Sequence, residues 1–328
     1  MKQFKFFFPC LLLLASCTQD AALQEKEALE IRLSAGIGSL EASGATRGVI
    51  NEDYAKQLDV SFARIDQTGT TSWQAYTGIA NPLAATRAAG TGAGQRDITF
   101  TEKQFYQNGE TDNGTKLIGW YPGGTWKQAD GSVTFDISTG TVDVMLTREV
   151  EGNKAETEQF GTAGHTFTFN HLLTQVTVKA FASVDGTAAM WGNVTSVKVK
   201  GQPTTCTVTL PGQTPAWGTT KQDLLLKNPA DDSDMTAANL NDVKEANPVT
   251  LGYAMFQPTT TKTLTLVVTT EKGGTRDVTV TLPGTTNPNN FAAGTAYTVT
   301  LNFKSTEVVP TASISAWQTG ASIPTVDL

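Results

Sequence analysis

Apolar and polar residues alternate with a period of two along much of this chain, and the stretch Gly164–Ala180 shows the pattern most fully. Phe167 and Phe169 alternate with Thr166 and Thr168; Val176, Val178 and Ala180 then alternate with Thr177 and Lys179. Such a rhythm sets one row of side chains in a core and the other in water, as in a half-buried strand. The His171-Leu172-Leu173 break between the two runs shifts the phase, as a bulge or kink does. The residues before the break read as one β-rich unit and those after it as another, so the stretch predicts the first strand of a second domain.

Further strands are predicted at Asp59–Ile65, Phe100–Phe105, Leu117–Tyr121 and Val133–Ile137 in the first unit, and Val142–Leu146 leads on from them into a charged stretch. Asp130-Gly131 reads as a hairpin turn and Tyr121-Pro122-Gly123-Gly124 as a turn by composition. Ala28–Leu33 reads as a short strand or a frayed helix. The charged stretch Arg148–Glu158 reads as the interdomain connection. In the second unit the pattern predicts strands at Val194–Val199, Cys206–Leu210, Val249–Phe256, Leu264–Thr269, Val278–Leu282 and Tyr297–Phe303. Gln213–Asn247 is polar and rich in turn residues, which predicts a loop excursion with one short strand. The tail from Val308 has strand-like content but little sequence left to pair with.

Composition agrees with this reading. In 328 residues there are 30 Gly and 13 Pro, and the apolar runs are short, which suits many short strands and suits long helices poorly. The fold class expected is all-β. The net charge of −7 with no basic block argues against nucleic acid as a partner.

The N-terminus changes the picture. Lys2 and Lys5 precede the apolar run Phe6–Ala15, which is too short to span a bilayer and reads as a secretory signal. Leu14-Ala15-Ser16-Cys17 is similar to the bacterial lipobox, in which the Cys thiol is acylated and becomes the new N-terminus. Lipid on Cys17 makes the membrane a partner, because two or more acyl chains give stable anchoring. Cys10 also precedes the cut, so Cys206 is left without an intramolecular partner and reads as a small buried apolar side chain.

Two arginines stand in small-residue, glycine-rich segments. Arg47 lies in Thr46-Arg47-Gly48 at the end of Ser34–Gly48, and Arg87 lies within Ala84–Arg96, so both read as protease-accessible loop residues. Trp73, Trp120 and Trp126 read either as a sugar-stacking platform or as core packing. Asp231-Asp232-Ser233-Asp234 lacks the glycine and distal glutamate of a Ca²⁺ loop and reads as a solvated acidic turn. No Ser/His/Asp arrangement, no metal-spaced Cys/His set and no phosphate-cradling glycine loop is present in recognisable form, so neither an enzyme nor a cofactor is expected.

Several loose motifs occur in a fixed order. They are Tyr121-Pro122-Gly123 after an apolar strand, Val142-Asp143-Val144-Met145, Phe167-x-Phe169-x-His171-x-Leu173-x-x-Val176, Gly294-x-x-Tyr297-x-Val299-x-Leu301 and Ile314-x-x-Trp317. Together with the lipobox this set resembles the fimbrillin family of Bacteroidales, the lipoprotein subunits of type V pili. Asp20, Glu25 and Glu27, just beyond Cys17, resemble the surface-export signals of Bacteroidetes lipoproteins.

The resemblance implies two tandem β-sandwich domains of transthyretin-like, Greek-key type. It divides the chain into a signal peptide (1–16), a propeptide and linker (17–47), an N-terminal domain (48–160) and a C-terminal domain (161–328). It also implies export to the outer surface, cleavage at Arg47, loss of the first strand and filling of the vacated groove by a neighbour's C-terminal strand. The expected partners are other pilus subunits, the membrane through Cys17 before cleavage, and a ligand on a host or bacterial surface. His171 is the family's strand-position histidine and is expected to be packed at the core edge. The competing expectations are an anchor subunit that keeps its lipid and a glycan-binding surface lipoprotein using Trp73, Trp126, Trp191 and Trp217.

Overall fold

A computed structural model describes residues 28–38, 50, 54–69, 71–92, 94–107, 113–183, 186–283, 290–305 and 307–315. Cys17 and Arg47 lie outside the described residues. The fold is all-β, as expected, with one five-residue α-helix at Thr187–Trp191 among the described residues.

The first half contributes β1 (Leu33–Ile37), β2 (Leu58–Thr68), β3 (Ser72–Trp73), β4 (Leu83–Arg87), β5 (Arg96–Phe100), β6 (Thr115–Tyr121), β7 (Thr125–Lys127), β8 (Ser132–Asp136), β9 (Met145–Leu146), β10 (Val150–Gly152) and β11 (Phe167–His171). Seven of these pair in a closed ring. From β6 the hydrogen bonds run to β9, β11, β1, β5, β4 and β2, and β2 pairs back with β6. In this half the pairing is continuous around the ring, and closure removes the strand edges. Inside lie Phe62, Phe100, Phe167 and Phe169; the Phe62 ring meets the other three edge-on at 5.4–6.3 Å between centroids.

The second half contributes β12 (Thr174–Ala182), β13 (Val194–Pro203), β14 (Thr205–Thr209), β15 (Pro215–Trp217), β16 (Lys221–Leu225), β17 (Val249–Phe256), β18 (Thr263–Thr270), β19 (Gly274–Thr281), β20 (Ala296–Phe303) and β21 (Val308–Ser315). One sheet has the order β17-β12-β20-β21 and another β16-β13-β18-β19. Both feed one core, built from Val176 and Val178 of β12, Val299 and Leu301 of β20, Val197 and Val199 of β13, and Leu266 of β18. The strict alternation in β20 is what allows this. Tyr297, Val299, Leu301 and Phe303 are fully buried, while the residues between them are half-exposed.

Two expectations about chain organisation are corrected. The Phe167–Ala180 stretch is not one strand of a second domain: β11 pairs with β1 and β9 in the ring, whereas β12 pairs with β17 and β20. The Leu172-Leu173 break is the crossing point, and the charged stretch from Arg148 stays in the first half, where β10 pairs with β6. The halves are also joined by a fourth sheet, β15-β14-β8-β7, in which Cys206 of β14 stands opposite Phe135 of β8. Trp120, Val133 and Phe135 share a core there with Cys206, Val208, Tyr253 and Met255. The polar excursion Gln213–Asn247 carries two short strands, β15 and β16, rather than one.

Candidate functional site

The first strand is the element whose position matters most. Its inward row is Ile31, Leu33, Ala35 and Ile37, all buried. The reading of Ala28–Leu33 as strand or frayed helix, followed by a flexible segment from Ser34, is corrected: the strand begins at Leu33 and runs through Ser34-Ala35-Gly36 to Ile37. Small residues are accommodated here because neighbours crowd both sides. A Cβ on Gly36 would meet Gln95 Nε2 at 3.1 Å, and one on Gly38 would meet Asn170 Oδ1 at 2.8 Å.

On one side β1 runs parallel to β11, with Ala35 opposite Phe167 and Ile37 opposite Phe169. On the other it runs antiparallel to β5, with Leu33 opposite Ile98 and Ala35 opposite Arg96. Further bonds fasten its ends. The Ile31 amide donates to the Gln104 carbonyl and the Gly38 amide to the Phe169 carbonyl, each at 2.8 Å. Upstream, Glu30 pairs with Lys103 at 3.4 Å on the surface. Removing this segment would turn the ring into an open sheet edged by β5 and β11, over a floor of Phe62, Phe100 and Phe167.

Arg87 corrects the sequence reading outright. It is no accessible loop arginine but the last residue of β4, with no solvent exposure. Its Nε donates to the Ala35 carbonyl of β1 at 3.1 Å, while Nη1 and Nη2 are buried without hydrogen-bond partners. Burial, and secondarily the neighbouring Arg96, lowers its pKa. The Ala/Gly-rich surroundings disguised a strand in which Ala85 and Arg87 face inward together.

The tail is corrected as well. Residues 308–315 are not unpaired: β21 runs antiparallel to β20 from Val308 opposite Phe303 to Ser315 opposite Ala296. Pro310 is tolerated because β21 is the edge strand of its sheet. Residues 316–328 lie outside the described residues.

The histidines separate. His171 at the end of β11 is buried, with Nδ1 2.8 Å from Asp143 Oδ1, a partner the sequence did not suggest. His165 Nε2 lies 3.1 Å from Glu158 on the outside. Of the two readings for the tryptophans, sugar stacking or core packing, the structure shows packing for Trp73, Trp120, Trp126 and Trp191. Trp73 lies under the Lys116 ammonium, Trp126 stacks on the buried Trp120, and Trp191 is buried with its indole N–H on the Lys304 carbonyl. Trp217 is half-buried opposite Cys206. In the acidic turn Asp232 accepts from the Tyr253 hydroxyl and Asp234 pairs with the Lys227 ammonium. The Cys206 thiol is pushed up to about 12 by burial. Among the described residues no cluster of three metal-ligating side chains occurs.

Solved structures share this arrangement. A candidate cell adhesion protein from Bacteroides uniformis superposes with a TM-score of 0.56 at 16% identity, covering 88% of this chain and 98% of that one. A second candidate cell adhesion protein, from Bacteroides ovatus, gives 0.54 at 14% identity, covering 90% and 99%. At these identities the likeness is one of fold. No curated protein matches the chain. Residues 50–317 match the fimbrillin-like family as a whole, and the chain therefore belongs to that family.

Proposed function

We propose that this chain is made as a lipoprotein precursor, held at the outer membrane through lipid on Cys17, and becomes a structural subunit or tip adhesin of a surface pilus. Cleavage at Arg47 frees the segment that contains β1, and a strand from another pilus subunit takes its place. The observation that carries this reading is the position of β1. It precedes Arg47 in the chain yet forms one stave of the ring, bonded on both edges and buried on its inward row. A sheet that loses such a strand exposes unpaired backbone groups and apolar pockets together, and one incoming strand satisfies both.

The tandem sandwich architecture belongs to the same reading. The two facing sheets of the second half suit a transthyretin-like, Greek-key sandwich, and the first half becomes an open sheet once β1 leaves. Membership of the fimbrillin-like family supports a surface location and association with other subunits. Because Cys17 precedes Arg47, one cut would release the subunit from its lipid and expose the groove at once.

The test is digestion of the purified precursor with an arginine-specific protease, followed by light scattering and mass spectrometry of the new N-terminus. Cutting before Gly48 with growth of oligomers is expected, and Arg47→Gln should remain monomeric. A monomer that persists after complete cutting at Arg47 would overturn the reading.

A further inference from the structure

We propose that Arg87 is a release device for β1: a cation that the seated strand seals from water without matching its charge, and that the strand's departure returns to water. The device belongs to the closed ring itself; its use in assembly rests on the strand-exchange reading above.

The ring order β4-β5-β1 puts one strand between Arg87 and its contact. From the end of β4 the side chain crosses the inner face of β5 and donates from Nε to the Ala35 carbonyl of β1 at 3.1 Å. Its row is otherwise apolar. Leu58 of β2 stands opposite Arg87, Arg87 opposite Ile98 of β5, and Ile98 opposite Leu33 of β1. All four residues are buried.

A guanidinium carries five N–H donors in a fixed fork. Here Nε is used, while Nη1 and Nη2, which carry the remaining donors, are buried without hydrogen-bond partners. The charge is unmatched too. Arg96, which stands opposite Ala35 on β5, acts on Arg87 from nearby and is a second cation. Its terminal nitrogen donates to the carbonyls of Thr91 and Gly92, and its Nε is buried without a partner. An arginine in a protein does not deprotonate, so Arg87 has no means of shedding its charge.

The direction of the effect follows from what β1 gives and what it withholds. It gives one carbonyl. It withholds water, because Leu33 and Ala35 on its inward row close this side of the ring. One bond to a neutral carbonyl is a small net gain, whereas a desolvated charge with unmet donors is a large cost. With β1 out, β5 becomes an edge and water reaches the guanidinium. Rehydration therefore favours the open ring and offsets part of what the two ladders and the apolar row of β1 contribute. The strand stays seated, and Arg87 sets how readily it leaves.

The experiment follows hydrogen exchange at the Ile31 and Gly38 amides, whose bonds to Gln104 and Phe169 fasten the two ends of β1, in the intact full-length precursor. Arg87→Met keeps an unbranched side chain in the same space and removes the charge. Exchange at both amides at least tenfold slower than in the wild type is expected, with the amides of β20 unchanged. Were the Ala35 bond the main effect of Arg87, the same variant would exchange faster. Faster or equal exchange at β1, or equal slowing at β1 and β20, would overturn the proposal. Arg87→Gln, neutral but still able to donate to the Ala35 carbonyl, decides the matter on the same readout where Arg87→Met fails to fold. After cutting at Arg47 the freed segment should also leave Arg87→Met at least tenfold more slowly, read by size-exclusion chromatography. Trimmed wild type that loses β1 and forms no oligomers would overturn strand exchange while leaving the device standing. Oligomer growth with β1 exchange unchanged in both variants would overturn the device and leave strand exchange standing.

Discussion

Phe62 on β2 lies directly against Gly119 on β6, and a Cβ added to Gly119 would sit 2.6 Å from the phenyl ring. The missing side chain gives the ring its place at the centre of the first core, where it meets Phe100, Phe167 and Phe169. Gly119→Val must displace that ring and strain the strands on either side. A loss of about 3 kcal/mol is expected, the upper end for overpacking a close-packed core. The midpoint of thermal unfolding, followed by near-UV circular dichroism, checks this.

Arg87 should resist arginine-specific protease for as long as the protein is folded, because it is sealed within β4. Mass mapping of a native digest is expected to show the Arg87–Ala88 bond intact under conditions that cut at Arg47. Adding urea should make the Arg87 bond cleavable.

Truncation separates two roles within the tail. A chain ending at Ser315 keeps all of β21 and should unfold at the wild-type temperature, yet fail to assemble after trimming. A chain ending at Glu307 removes β21 from β20 and uncovers the core beside Val308 and Ala312, so its melting temperature should fall. Equal melting temperatures for the two truncations would count against β21 as a built-in part of its sheet.

Asp143→Ala leaves the buried His171 ring without the carboxylate 2.8 Å away, and a loss of about 3 kcal/mol is expected from breaking a buried polar pair. The double variant Asp143→Ala, His171→Ala should lose less than the sum of the two single changes, because neither leaves the other stranded. Denaturation of all four proteins under one condition closes that cycle.

Cys206 should be inert in the native protein. Its thiol is pushed up to about 12 by burial, so the reactive thiolate is scarce below that pH. With Cys10 and Cys17 replaced by Ser, a thiol-reactive dye at pH 8 should label the native chain negligibly and the denatured chain once.

Strands announced themselves wherever one face is buried and the other wet. Tyr297–Phe303 was legible to within one residue of the observed Ala296–Phe303, because alternation is the whole of its pattern and both faces have a definite environment. The hairpin turn at Gly131 was legible because it needs the left-handed backbone that glycine adopts freely, with a φ of 58°. The first strand was not. Leu33-Ser34-Ala35-Gly36-Ile37 is made of small residues because its neighbours crowd it, and smallness in sequence looks like flexibility. Arg87 was hidden for a related reason: a charged residue among alanines suggests a surface loop, and only the register of β2, β4, β5 and β1 turns it inward. The His171–Asp143 pair spans 28 residues, a separation that no local pattern encodes. Ring closure depends on β1 meeting β11 across more than a hundred residues, which again only the folded chain reveals.

The sheet built from β7, β8, β14 and β15 has a mechanical consequence. Its strands come from both halves of the molecule, and the cluster around Trp120, Cys206 and Tyr253 fills the space beneath. Such a splice couples the halves through backbone hydrogen bonds as well as side-chain packing, so moving one against the other must break both. Were such molecules joined end to end, bending would fall first on the contacts between copies, which lack this shared sheet.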